Sequence, residues 1–549
     1  MMKKMKRTLP FIPIIFFVIV VFILTKAAIS SDFYASISKN LTVLGEIYKE
    51  VSKRYVDKID LDEFLRAGIN GMLNTLDPYT VYLEEQEDRH QIQVLTHGKY
   101  GGVGLLLIYR NNSVIVGEPP FLGTPSERAG IREGDRIVKV DSVWARDLDF
   151  SETAQRIRGP AGTEVTLTIF REGEADYLIF KMIREQIKID DVRYAGFIED
   201  GIGYIRLTRF SKNAGPEVRE AIHGFKEKGL NGLILDLRNN PGGLLESAVE
   251  ISDLFLPEKD LIVSTRGRTQ NSIREFPSEQ PPLYGDLPMV VLVNGISASA
   301  SEIVAGAIQD HDRGIIMGDT TFGKGLVQTI VPITRESAIK ITTAKYFTPS
   351  GRSIQRQNYS QWEDSTAQFE NIAYHTDSGR PVFGKGGIVP DIVVDLPYIN
   401  GLAVDLRRKS MFFNFAVHYA SLHKTMDSSI PVTDSVLNSF KAYLNEKGYN
   451  YKHPIENNLQ ALHEEAEEQG YRNQLIESIQ KLQTVLDETK ADMFEKSKSD
   501  IIRILRIELA TKYYGTQRGV EISMENDLVI QKALHILQDP KQYNITLKN

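Results

Sequence analysis

The 549-residue chain contains no cysteine. That absence excludes disulfide bonds, thiol nucleophiles and lipid attachment at an amino-terminal cysteine, and it leaves the redox compartment unspecified. A dominant charge is lacking too. The formal net charge of −7 is modest and spread along the chain, so the basic footprint of a nucleic-acid partner is missing. Metal-ligand spacing is absent: the run His463-Glu-Glu-Ala-Glu-Glu reads as a solvated helix face. Apart from residues 9–24, no apolar run raises the question of a membrane. Those 16 uncharged residues follow Lys3, Lys4, Lys6 and Arg7 and read as an export signal. Two outcomes stay open for it: cleavage at the small-x-small site 28–30, or retention as a short membrane anchor with the basic residues left in the cytoplasm. Either places the protein in the periplasm or cell envelope.

What is present is a chain that is 42% hydrophobic and 25% charged, long enough for three or four domains with cores of their own. Its most chemically specific stretch is 289–328. Met289–Val293 is a short apolar run of the kind that forms a buried parallel strand, Asn294-Gly295 breaks it, and the next periodic segment, from Ala300, is helical. Ser299 thus stands where helix amides lack intrahelical partners and carry partial positive charge. An oxyanion forming beside it would meet the amide of Ala300. The same four residues, Ser299-Ala-Ser-Glu302, also make an S-x-x-E capping box, which needs no chemistry. Lys324, 25 positions on, lies between two glycines, where packing gives little reason for a lysine. Apolar neighbours that desolvate its ammonium would make it a neutral general base.

Residues 318–325 nearly satisfy the phosphate-binding G-x-x-x-x-G-K-[ST] loop, but the last position is Gly325, with no hydroxyl for magnesium. The following Leu-Val-Gln-Thr-Ile-Val is strand-like rather than helical. Nucleotide binding is therefore rejected.

Five ordered motifs, LDLRNNPGG (235–243), SASASEI (297–303), FGKGLVQ (322–328), AKYFTPSGRSIQ (344–355) and GGIVPDI (386–392), resemble those of the carboxyl-terminal processing peptidases, or tail-specific proteases. The resemblance covers about 41–394. It implies a serine protease with a Ser–Lys dyad and no metal, cofactor or catalytic histidine. By position, Ser299 matches the nucleophile, Lys324 the general base, Gln328 a residue that orients the lysine, and Glu302 a further polar residue of the active site. A second oxyanion donor is sought in 233–244, where a buried strand enters a tight turn. There Gly242 or Gly243 lets a backbone amide approach a substrate without a blocking Cβ, although an ordinary strand-to-helix turn would use the same glycines.

The expected fold is multidomain α/β: a mostly parallel-sheet protease core with an inserted PDZ-like domain and flanking helical regions. Segments are read as 1–30, signal or anchor; 31–96, amino-terminal helices; 97–186, PDZ-like; 187–397, protease core; 398–549, carboxyl-terminal helices. In the PDZ-like segment a second helix is expected to be capped by Ser151, with a hairpin at 171–174. Its glycine loop, Gly101, Gly102, Val103, Gly104 and Leu105, would hold a peptide's terminal carboxylate on backbone amides. Residues 356–385 read as a surface insertion, and Thr348-Pro-Ser-Gly-Arg352 as part of the substrate channel or a plain turn. The expected partners are proteins with unstructured carboxyl termini; the carboxyl-terminal helices leave a homo-oligomer or an adaptor open. A competing reading is a catalytically inactive PDZ-containing scaffold of the cell envelope. The joint presence of Ser299, Lys324 and Gln328 argues against it.

Overall fold

The computed structural model describes residues 12–84, 94, 96, 98–110, 112–334, 337–356, 373–384, 386–395 and 401–548, the side chains of 12–32, 489 and 491 excepted. Residues 1–82 and 83–549 form two compact units. In the first, Ile12–Arg54 is one helix of 43 residues and Leu61–Leu73 a second, capped by the Asp60 carboxylate on the amides of Asp62 and Glu63. Tyr48 stacks on Phe64 with ring centroids 5.3 Å apart, fastening the two helices. The basic cluster of the expected export signal lies outside the described residues. No helix among the described residues is long and apolar enough to cross a membrane.

The second unit is built on a six-stranded sheet in the order Val192–Glu199, Ile202–Leu207, Gly232–Asp236, Met289–Val293, Ile315–Gly318, Ile392–Val393. The first pair is antiparallel and every later pair parallel. Parallel strands are covered on both faces, so they read as unbroken apolar runs. Leu233, Leu235, Met289, Val291, Val293 and Ile316 face one core, beneath helices Ala214–Lys226, Leu245–Asp253 and Ala300–Asp310. Their alternates Ile234, Val290, Leu292, Ile315 and Met317 face another, closed by helices Leu528–Gln538 and Pro540–Thr546. Both helices come from the segment expected to hold the carboxyl-terminal helices, and they pack directly on this sheet. Antiparallel pairs join Leu326–Pro332 to Ala338–Phe347, that strand to Leu261–Gly267, and the latter to Arg274–Pro277.

The PDZ-like segment has its own core of Val103, Val116, Ile137, Val165, Leu167 and Ile169. Its second helix, Phe150–Ile157, is capped by Asp149 rather than Ser151, through a capping box with Glu152; a carboxylate two residues earlier outcompetes the hydroxyl. The hairpin is wider than expected: Glu164–Phe170 pairs with Leu178–Ile183, so the connection spans 171–177. This segment is seated on helices Met411–Leu422 and Lys498–Tyr514. Lys512 Nζ donates to the Glu133 carbonyl, His418 Nδ1 lies 2.7 Å from Glu172 Oε1, and Arg110 sits over the Phe413 ring.

Of the expected insertion, 357–372 and 385 lie outside the described residues; Ala373–His375 and Pro381–Phe383 form a two-stranded ribbon. Arg352 is buried beside a cavity lined also by Arg380 and Asp391. Its guanidinium is wholly buried, paired with Asp310 at 2.7 Å and bonded to Gln309 and the Phe383 carbonyl, so that motif locks a turn into the core.

Candidate active site

Three adjacent parallel strands deliver three loops to one edge of the sheet. After Gly232–Asp236 comes the turn with Gly242 and Gly243, after Met289–Val293 comes Ser299, and after Ile315–Gly318 comes Lys324. The carboxyl edge of a parallel sheet is where α/β folds place their sites. Ser299 opens helix Ala300–Asp310 with φ +55° and ψ −111°, a conformation L side chains rarely adopt. Its half-buried side chain stands at the helix end, where Ser299 and Glu302 form a capping box. The neighbouring serines differ. Ser297 and Ser301 are wholly buried, and their hydroxyls donate to the carbonyls of Leu237 and Asn240 at 2.8 and 2.9 Å.

Glu302 gathers the site. Its Oε2 accepts the amides of Ser299 and Lys324 at 2.7 and 3.0 Å, and its Oε1 accepts the Gly323 amide and the Thr321 hydroxyl at 2.7 and 2.6 Å. The carboxylate therefore reaches beyond a helix cap to the lysine loop. Burial pushes its pKa up to about 7 against those four hydrogen bonds, which pull it down. Lys324 Nζ donates to Gln328 Oε1 at 3.0 Å. Gly323 has φ +87°, and a Cβ there would stand 2.8 Å from the Cβ of Arg356; only glycine fits the bend that aims the loop.

The glycine turn abuts the serine. A Cβ on Gly242 would lie 3.0 Å from the Ser299 Cβ and 2.9 Å from the Ala300 nitrogen. Of the two expected donors, the Gly242 amide is already engaged by Asn240 Oδ1 at 2.9 Å. Asn240 also accepts the Ala298 amide on its carbonyl and donates to Leu207, welding this turn to the start of the serine helix.

Residues 201–361 match Peptidase family S41, 122–171 a PDZ domain, 25–87 the Activating protease CtpB N-terminal domain, and 402–537 the C-terminal helical domain of a Probable PDZ-protease. The Carboxy-terminal-processing protease of Bartonella bacilliformis is 41% identical over 351 residues, 62% of this chain and 80% of that protein. The chain belongs to the carboxyl-terminal processing peptidase family. It is a serine-type peptidase with a PDZ domain. The Carboxyl-terminal-processing protease of Synechocystis is 40% identical over 297 residues, 53% of this chain and 68% of its own, and the Carboxy-terminal processing protease CtpA of Bacillus subtilis 32% over 315, 57% and 66%.

In this processing peptidase the expected carboxylate loop divides. Gly101 and Gly102 are paired as a strand with Gln186 and Glu185. Val103, Gly104 and Leu105 instead line a groove of about 60 Å³, facing Phe150, Ala154, Ile157 and Arg158 of the second helix and its end. Four residues escaped the sequence reading. Thr321 holds Glu302 and accepts the Ile388 amide at 2.6 Å; Gln355 Oε1 accepts the Gly325 amide at 2.7 Å; Asn240 braces the glycine turn; Tyr346 reaches both Ser299 and Lys324. All lie in or beside the five motifs, and Tyr346 and Gln355 stand inside the motif 344–355, where no role was assigned to them.

Proposed function

We propose that this chain is an exported endopeptidase that cleaves proteins near unstructured carboxyl termini, with Ser299 as nucleophile, Lys324 as general base and the PDZ domain as the receptor for the substrate's free carboxylate. The observation that carries the reading is the Glu302 carboxylate, which accepts the amides of Ser299 and Lys324 together and so ties residues 25 apart in sequence to one buried anchor. A capping residue alone has no use for the lysine loop.

In the proposed cycle, Lys324 in its amine form, oriented by Gln328, takes the Ser299 Oγ proton as the oxygen adds to the scissile carbonyl. The resulting oxyanion is held by the amides of Ala300 and Gly243, which are fixed before the substrate arrives and need no reorganisation. Collapse expels the amine, which receives the proton from Lys324, and leaves an ester on Ser299. Water, deprotonated by Lys324 in turn, hydrolyses the ester. Retention or cleavage of residues 1–30 sets whether the enzyme is anchored or free in the periplasm or envelope.

Ser299→Ala and Lys324→Ala should each abolish cleavage of a disordered protein while keeping wild-type circular dichroism. Ser297→Ala and Ser301→Ala should keep turnover but lose about 1 kcal/mol of stability, because each removes one buried hydrogen bond from a carbonyl that keeps a backbone donor, the Asn240 amide on Leu237 and the Ala298 amide on Asn240. An inactive, fully folded Ser301→Ala beside an active Ser299→Ala would refute the assignment.

A further inference from the structure

Ser299 carries a backbone conformation that its own side chain disfavours, so surrounding bonds must hold it there. Glu302 holds its amide. Its carbonyl accepts the amides of Glu302 and Ile303 at 2.8 and 3.0 Å, as a helix start requires, and one further donor from outside the helix. That donor is the Tyr346 hydroxyl, 3.2 Å from Ser299 O and 2.6 Å from Lys324 O. The two residues whose amides share one carboxylate therefore have carbonyls that share one phenol. Each of the two residues is held at both its amide and its carbonyl.

Tyr346 is well built for this. It lies in strand Ala338–Phe347, where its amide donates to the Gly325 carbonyl at 3.0 Å, so its backbone is fixed to the residue after Lys324. The same residue is opposite Thr265 in the next strand, and its side chain is 1% exposed. Burial holds the phenol well above its usual pKa, so it is a protonated donor at neutral pH. Its single hydrogen is shared between the two carbonyls in a three-centre bond, the shorter arm to Lys324 O and the longer to Ser299 O.

We propose that Tyr346 is a positioning residue of the peptidase reaction, which keeps the Ser299 and Lys324 backbones in catalytic register by bridging their carbonyl oxygens. The inference rests on the Ser299–Lys324 reading above. It assigns Tyr346 no contact with substrate and no part in proton transfer.

The test compares full-length wild type, Tyr346→Phe, Ser299→Ala and Lys324→Ala, each assayed well below its own melting midpoint so that a lowered midpoint does not decide the result. Two rates are read: turnover of a disordered protein substrate, and covalent labelling of Ser299 by a small serine-directed phosphonate that does not fill the peptide groove. Tyr346→Phe should lower kcat and the labelling rate by a similar factor, about 10- to 100-fold, with KM within about threefold of wild type. Introducing 3-fluorotyrosine at 346, which keeps the donor, should return both rates to near wild type. A merely structural loss would instead lower the active fraction, leaving the labelling rate of the remaining enzyme unchanged. Wild-type kcat and labelling in Tyr346→Phe, beside inactive Ser299→Ala and Lys324→Ala, would overturn the bridge and spare the dyad. A variant that folds at no temperature would overturn it as well, since the hydroxyl would then be a folding determinant. Activity surviving in Ser299→Ala or Lys324→Ala would instead sink the dyad itself.

Discussion

At the scale of single residues, Glu302 poses a conflict between burial and hydrogen bonding. Four donors converge on it, and a protonated carboxyl would have to replace one acceptor with a hydrogen aimed at another donor. The ionised form is thus the one that fits the bonding, while burial favours the neutral form and lifts the pKa to about 7. The signs for stability and activity then oppose each other. A carboxyl whose folded pKa is raised contributes stability that is fully present below its unfolded pKa, near 4.5, and is lost as pH rises through about 7. Activity should do the reverse: kcat falls as pH drops through about 7, because protonation loosens the grip on Ser299 and Lys324, while the Glu302 contribution to stability grows. Glu302→Gln should be folded, lose about 10- to 100-fold in kcat, and show no inflection of its remaining activity near pH 7. Parallel pH profiles of melting temperature and kcat, with the inflection intact in Glu302→Gln, would show that another group controls the limb. Sequence spacing paired Ser299 with Glu302 and read the four residues as a helix cap or as part of a site. Spacing alone could not place the lysine loop, 22 residues on, whose Lys324 amide meets the same carboxylate.

At the scale of elements, the strands of the protease core were legible because burial on both faces leaves unbroken runs such as Met289–Val293, and the serine helix because its break and its first residues coincide. Other features were hidden for stated reasons. Ser151 and Asp149 compete for one cap, and propensity does not separate them; Arg352 reads as a polar turn residue because its partner, Asp310, is 42 positions away. The PDZ groove shows the same limit. Five consecutive residues suggested one loop, yet strand pairing claims Gly101 and Gly102 and leaves Val103, Gly104 and Leu105 to face the second helix. Amides of that shorter stretch are the proposed receptor for a terminal carboxylate. Amidating the carboxyl terminus of a disordered substrate should raise KM about 10-fold or more with the intact enzyme, and change nothing for a nonspecific protease. Equal cleavage of amidated and free substrates would leave the PDZ fold without that role.

At the scale of the molecule, the carboxyl-terminal helices divide into parts that the chain can and cannot lose. Leu528–Gln538 and Pro540–Thr546 cover Tyr204, Ile234, Val290, Leu292, Ile315 and Met317 on the second face of the catalytic sheet. Tyr543 bonds to both the amide and the carbonyl of Met289, and Asp527, which caps the first of these helices, pairs with Arg238, two residues past the strand Gly232–Asp236. Uncovering six apolar side chains at roughly 1.5–3 kcal/mol each would outweigh the stability of a typical domain. The hairpin of Pro454–Glu468 and Arg472–Ala491 is different. Its buried Leu459, Ala466, Ile479 and Leu486 belong to none of the large cores, and the Glu456–Lys490 ion pair, 2.6 Å long, holds its two ends side by side. Replacing 454–491 with a short Gly-Ser linker should therefore leave the melting temperature within about 5 °C of wild type and the kcat for a small peptide unchanged. Truncation after residue 526 should give protein that is insoluble or rapidly proteolysed, with no cooperative melt. A truncated enzyme that melts cooperatively and still cleaves would show that the sheet stands without this cover, and that the last helices are an accessory rather than the second half of the core.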